Sequence, residues 1–187
     1  MDRINLQIIR EAFGKVAYSH KTHEKGAEIA DFHSSGVKVI NVVLTTATSS
    51  TLLVTLITNQ TILGYITAII SALTLAFIIF QLSFNPEQKA EKHRQAAKEL
   101  WRIREKYLNL IADIMSENIS NETITHRRDQ LMEELKMVYQ FSPATSSKAY
   151  KKAQDTLKLN EELTFSTEEI DQLLPENLRI VKSLKDK

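Results

Sequence analysis

His20 and His23 stand three residues apart, with Glu24 beside them and His33 further along. That spacing sets two imidazoles on one helix face, where they could ligate a metal. The pattern offers no third well-placed ligand, so these histidines read as solvated residues and no metal site is expected. Arg127-Arg128 and the stretch Lys148-Ala149-Tyr150-Lys151-Lys152 are basic enough to meet a nucleotide or an anionic headgroup. Solvated helix faces carry such charge runs too. With 24 Lys+Arg against 23 Asp+Glu and a formal net charge of +1, direct nucleic-acid binding is not expected. There is no glycine-rich phosphate loop, no nucleophilic serine elbow and no isolated carboxylate pair in an apolar setting. The chain contains no Cys, which removes disulfides, thiolate metal sites and cysteine nucleophiles. The expected protein is no enzyme and carries no cofactor.

A third polar pattern occupies a different setting. From Val39 through Pro86 no Asp, Glu, Lys or Arg occurs, and all the charge lies outside this stretch. A bilayer's hydrocarbon core takes about 20 apolar residues per helix, so the stretch suffices for two passes and a turn. Asn59-Gln60-Thr61 marks the turn, which places helices at about 39–58 and 62–84. The second is the more apolar, with thirteen Leu, Ile and Phe residues from Ile62 to Phe84, worth roughly −4 to −8 kcal/mol for insertion. The first has a hydroxyl-rich centre, Thr45-Thr46-Ala47-Thr48-Ser49-Ser50-Thr51, and needs its partner to enter the membrane.

Within these helices the polar side chains fall in stripes. Asn41, Thr45, Thr48, Thr55 and Asn59 share one face of the first, interrupted by Leu52. Gly64, Thr67, Ser71, Thr74 and Gln81 share one face of the second. Lipid has no use for hydroxyls and amides, so the stripes face each other, neighbouring protomers or water. Helix packing and pore lining both satisfy that condition. One hairpin cannot enclose a channel, so lining requires a homo-oligomer. With no ionisable residue in the span, a proton or ion pump is disfavoured.

The flanks complete an all-α reading. Lys15, Lys21, Lys25 and Lys38 precede the hairpin, Lys89, Lys92, Arg94, Lys98, Arg102 and Arg104 follow it, and the turn has neither Lys nor Arg. The positive-inside rule then places both termini in the cytoplasm. No signal peptide is apparent, because residues 1–38 are charged and polar. Residues 1–38 form a cytosolic helix that Ser34-Ser35-Gly36 is expected to break before the membrane. Residues 87–175 form a cytosolic helical bundle: a helix begun by Asn85-Pro86, a second after Ser120-Asn121 stopped at Ser142-Pro143, a third from about Thr145, and a short one capped by Ser166-Thr167-Glu168-Glu169 that ends at Leu174-Pro175. Residues 176–187 form a charged tail. Trp101, Tyr107 and Tyr139 belong to bundle contacts.

Several stretches together carry a family resemblance. Tyr18-Ser19-His20-Lys21-Thr22-His23, followed by Ala27, His33 and Asn41-Val42-Val43-Leu44, resembles the approach to the first membrane helix of SLATT proteins, the SMODS and SLOG-associating two-transmembrane effectors. His93, Ala97 and Leu100 after the second pass are also similar to that family. So are Ser142-Pro143-Ala144-Thr145 with Tyr150 and Ala153, and Phe165 with Glu168-Glu169-Ile170 and Leu174-Pro175. The order and spacing of these stretches, across nearly the whole chain, make the case for a stand-alone member.

The resemblance implies an inner-membrane effector of a bacterial anti-phage system that breaches the membrane in abortive infection. It implies a lipid bilayer as the setting. It also implies a partner such as a nucleotide-second-messenger synthase, a nucleotide sensor or a reverse transcriptase. No catalytic residues carry over. Tyr18, Lys21, His23 and His33 match the family's juxtamembrane motif. The hydroxyl-rich first helix departs from its usual aliphatic pattern. The competing reading is a membrane-anchored scaffold or sensor subunit that recruits a cytosolic partner.

Overall fold

The computed structural model describes residues 3–58, 60–159, 162–164 and 166–173. They form six α-helices and, among the described residues, no strand: α1 Arg3–Thr58, α2 Thr61–Phe84, α3 Pro86–Met115, α4 Asn121–Phe141, α5 Ser147–Leu159 and α6 Thr167–Leu173. At 1.5 Å per residue, α1 is a rod of about 84 Å. The α2 helix runs back along its C-terminal part, α3 continues along its N-terminal part, α4 folds against α3, and α5 lies against α1.

The break expected at Ser34-Ser35-Gly36 is absent, and α1 passes through it uninterrupted. A glycine inside a helix costs only about 1 kcal/mol, and α3 lies alongside to offset it: Ser34 is buried, and Asp31 holds Arg94 of α3 at 2.7 Å. The N-terminal segment and the first membrane pass are therefore one helix.

Caps set the other boundaries. Asn85 Oδ1 accepts from the Gln88 amide at 3.0 Å, with Pro86 at the first helical position, where a missing amide hydrogen costs nothing. Ser120 Oγ accepts from the Thr123 amide. At α6, Ser166 Oγ accepts from the Glu169 amide while the Ser166 amide donates to Glu169 Oε2, a reciprocal capping box. Leu174-Pro175 and the 176–187 tail lie outside the described residues, as does Asn59.

The core lies in the charged parts of the chain. Leu6, Ile9 and Val16 of α1 interlock with Leu100, Ile103, Tyr107, Leu110 and Ile114 of α3, closed by Ile124 and Leu131 of α4. Each fully buried aliphatic side chain here contributes about 1.5–3 kcal/mol. Trp101 and Tyr139 remain largely exposed. The charge-free hairpin behaves in the opposite way: Val42, Val43, Leu53, Leu56, Ile62, Ile69, Leu75 and Ile79 all point outward. Two helices are long and apolar enough to cross a membrane, and in this pair the apolar residues face out. Such a surface is stable only in lipid or against other chains.

Candidate functional site

The inner seam of the hairpin holds the polar groups. Asn41 Nδ2 donates to Gln81 Oε1, the Thr48 and Thr74 hydroxyls meet at 3.2 Å, and those of Thr55 and Thr67 meet at 3.3 Å. Going down α1 the rungs fall at 41, 48 and 55; going up α2 they fall at 67, 74 and 81. Both helices thus step seven residues per rung, about 10 Å. Two antiparallel helices that keep a heptad register meet along a fixed line.

That register revises the first stripe. A straight 3.6-residue period puts Thr45 on the face of Asn41, whereas the heptad seam takes Leu44 and Thr51, both half-buried, and leaves Thr45 exposed. Ser71 is half-buried beside the seam, and the Thr55 methyl would lie 3.8 Å from a Cβ built on Gly64. Leu52 points away.

Each threonine in a rung also contacts its own helix. Thr48, Thr55, Thr67 and Thr74 lie 2.7–2.9 Å from the carbonyl four residues earlier. A hydroxyl has one proton, so in each rung one threonine donates across and the other donates to its own backbone. At the end of the seam nearest α3, Asn41 Oδ1 is buried without a hydrogen-bond partner among the described residues.

Of the juxtamembrane motif, His23 meets α3. His23 Nδ1 and His93 Nδ1 lie 3.0 Å apart, both rings buried, one nitrogen donating and the other accepting. Gly26 makes the room: a Cβ there would lie 2.9 Å from His93 Nδ1 and 3.0 Å from its Cε1. Burial pushes the His23 imidazole down to about 4, with the nearby His93 and His20 rings adding to the effect. Burial and Lys89 lower His93 as well. Both rings are therefore neutral near pH 7, and the pair acts as a polar pin between α1 and α3.

The neighbouring motif residues divide. Lys21 is buried, held by Glu24 at 2.7 Å and Glu162 at 2.6 Å. Burial works against its charge, but the two carboxylates win and its pKa is raised. His20, against Glu24 Oε1 at 3.5 Å, helps hold that carboxyl down at about 2. Tyr18 stacks on Tyr150 of α5 with ring centres 6.2 Å apart, and Ser19 Oγ meets the Tyr139 hydroxyl at 2.8 Å. Tyr18 and Tyr150, with Ser142 and Thr145 of the turn before α5, wall a cavity of about 900 Å³. Two stretches separated by more than a hundred residues thus share one hollow. His33 remains exposed beside Phe32 and joins neither group. Among the described residues no three metal-ligating side chains come together.

The family model for the SMODS and SLOG-associating 2TM effector domain family 4 matches residues 6–169, which takes in both the membrane hairpin and the His23–His93 pin. The chain belongs to this family. No curated protein and no solved structure matches it. The 2TM of the family's description corresponds here to α2 and the C-terminal part of α1. The effector domain is therefore a membrane protein whose first transmembrane helix continues, unbroken, into the charged N-terminal part of α1. Sequence reasoning missed Gly26 as a structural partner of His93. A lone glycine in a helical pattern is the signal that could have raised it. Glu162 as a partner of Lys21 had no local signal at all.

Proposed function

We propose that this 2TM effector domain is a non-catalytic inner-membrane protein, with both termini cytoplasmic, that permeabilises the bilayer as a homo-oligomer when an anti-phage system is triggered. The reading rests most on the three polar rungs within an otherwise lipid-facing hairpin. An anchor gains nothing from them, since an aliphatic seam holds two helices at lower cost in insertion. A conducting assembly needs polar side chains that can be hidden at rest and presented to water when active. Inside one protomer the two threonine rungs satisfy one another, which favours a closed resting state. Turned toward a pore, the same side chains exchange their partners for water. Interhelical hydrogen bonds in membranes average only about 0.6 kcal/mol, so three rungs present a barrier a cytosolic signal can overcome.

The uninterrupted α1 supplies the coupling. A change in packing where His23 meets His93 acts on the rod that carries Asn41, Thr48 and Thr55. A ligand or partner that prefers the open arrangement shifts the population by its difference in affinity. The partner that delivers it is a nucleotide-second-messenger synthase, nucleotide sensor or reverse transcriptase of the same system.

Induced expression with a membrane-potential dye tests the proposal. Activation is expected to collapse the potential, and Ser71→Lys or Thr74→Lys is expected to alter the leak while the protein still reaches the membrane. An activated protein that leaves the potential intact is a scaffold, and the permeabilising reading then fails.

A further inference from the structure

On the face of α1 and α3 away from the tyrosine hollow lies a cleft of about 1090 Å³, lined by six Lys and Arg side chains against the four carboxylates of Glu24, Glu28, Asp31 and Glu162. Lys21 projects into it with a side chain only 10 % exposed. A charge so buried requires anionic contacts. One comes from Glu24 on its own helix. The other, Glu162, comes from the connection between α5 and α6, and its side chain is 39 % exposed. A carboxylate from a surface connection thus closes the site.

Two further polar atoms in the walls are orphaned. His20 Nδ1 and Arg104 Nη1 are buried with no hydrogen-bond partner among the described residues, and the His20 side chain is 6 % exposed. Buried donors and acceptors are nearly always satisfied by protein, water or ligand. Lys98, also in the wall, has no acidic partner among the described residues. Trp101 lines the cleft and is half exposed. The connection that carries Glu162 leads to α6, which forms no extended interface with the other described helices.

From these placements we infer that the α1–α3 cleft is a binding site for a polyvalent phosphate-bearing anion, and that Glu162 is a built-in occupant which this ligand displaces. The anion takes over the Glu162 contact to Lys21 and reaches Lys98 and Arg104 along the cleft. With several cationic side chains in the walls besides Lys21, the cleft favours a ligand with more than one charged group. Trp101 offers a flat apolar wall beside the anion. The inference concerns binding alone and stands whether or not the protein conducts.

Free phosphates and lipid headgroups share this chemistry, and a fluorescence experiment separates them. Trp101 is the only tryptophan, so its emission reports the cleft directly. The full chain in zwitterionic nanodiscs is titrated with inorganic pyrophosphate, and a parallel sample is prepared in anionic nanodiscs without it. The expected result is a saturable change in emission with pyrophosphate. In Glu162→Gln the affinity rises about tenfold, or 1.4 kcal/mol, because the competing carboxylate no longer holds the site closed. Lys21→Met abolishes the response, and the surface variant Lys98→Gln weakens it, which covers the case where the buried substitution misfolds. A response to anionic lipid alone, sensitive to Lys98→Gln, supports the site with a headgroup as its ligand. Neither response, in the natural chain and in Glu162→Gln alike, overturns the inference and leaves Glu162 as a structural ion pair.

Discussion

Gly26→Ala sets two opposing effects against each other at one position of a continuous helix. Replacing glycine by alanine in a helix interior gains about 1 kcal/mol from propensity. At Gly14 and Gly36 a Cβ meets nothing within 4 Å, so alanine there keeps that gain. At Gly26 the new carbon lies 2.9 Å from His93 Nδ1, and the ring has little freedom to retreat: it is 2 % exposed and bonded to His23 at 3.0 Å. Overpacking of this kind costs about 1–3 kcal/mol. Displacing the ring also gives up a hydrogen bond worth about 1 kcal/mol. The net for Gly26→Ala is therefore a loss of about 1–3 kcal/mol, some 2–4 kcal/mol below Gly36→Ala. For a chain of this size about 2–4 °C accompanies each kcal/mol, so the two melting temperatures should differ by at least about 4 °C. Circular dichroism melts of the natural chain, Gly14→Ala, Gly26→Ala and Gly36→Ala in one detergent measure it. Gly26→Ala melting with or above Gly36→Ala would refute the close packing of α1 on His93 and, with it, the pin.

Acid should weaken the same contact. The His23 imidazole is held at about 4 against an ordinary 6.5, so the unfolded chain takes up the proton first. The associated stability is complete above pH 6.5 and disappears as pH falls toward 4, by up to about 3 kcal/mol. Melts between pH 7 and 4 should show this descent, and His23→Gln should flatten it. A second descent, from Glu24, belongs lower, between its ordinary 4.5 and about 2. In the membrane seam, a double-mutant cycle of Thr48→Val and Thr74→Val should return a coupling of about 0.6 kcal/mol, and Thr45→Val with Thr74→Val should return none. After α3, Glu117 sits in the left-handed region at φ 56°, so Glu117→Gly should raise stability by about 1 kcal/mol in the same melts.

Most of the helix boundaries could be read locally because they are local events. Asn85-Pro86, Ser120-Asn121 and Ser166 to Glu169 each place a cap acceptor within three residues of the amide it serves, and neighbouring residues suffice to recognise that. The hairpin was legible for a related reason, since membrane insertion depends on the summed hydrophobicity of a segment. Ser34-Ser35-Gly36 misled because its weak helix preference is overridden by α3, a neighbour some sixty residues away in sequence. Thr45 misled for a subtler reason: Leu44 and Thr45, three and four residues after Asn41, flank the seam on opposite sides, and the partner helix covers the first and leaves the second exposed.

The composition alone determined an all-α chain with a neutral double-pass segment between charged flanks, because solvent preference is a property of the residues themselves. Tertiary structure decided which polar groups meet. The rungs 41–81, 48–74 and 55–67, the His23–His93 contact against Gly26, and Glu162 on Lys21 all join residues far apart along the chain. Each depends on the register in which long helices pack, and register is set by the sum of many side-chain fits that no short stretch contains.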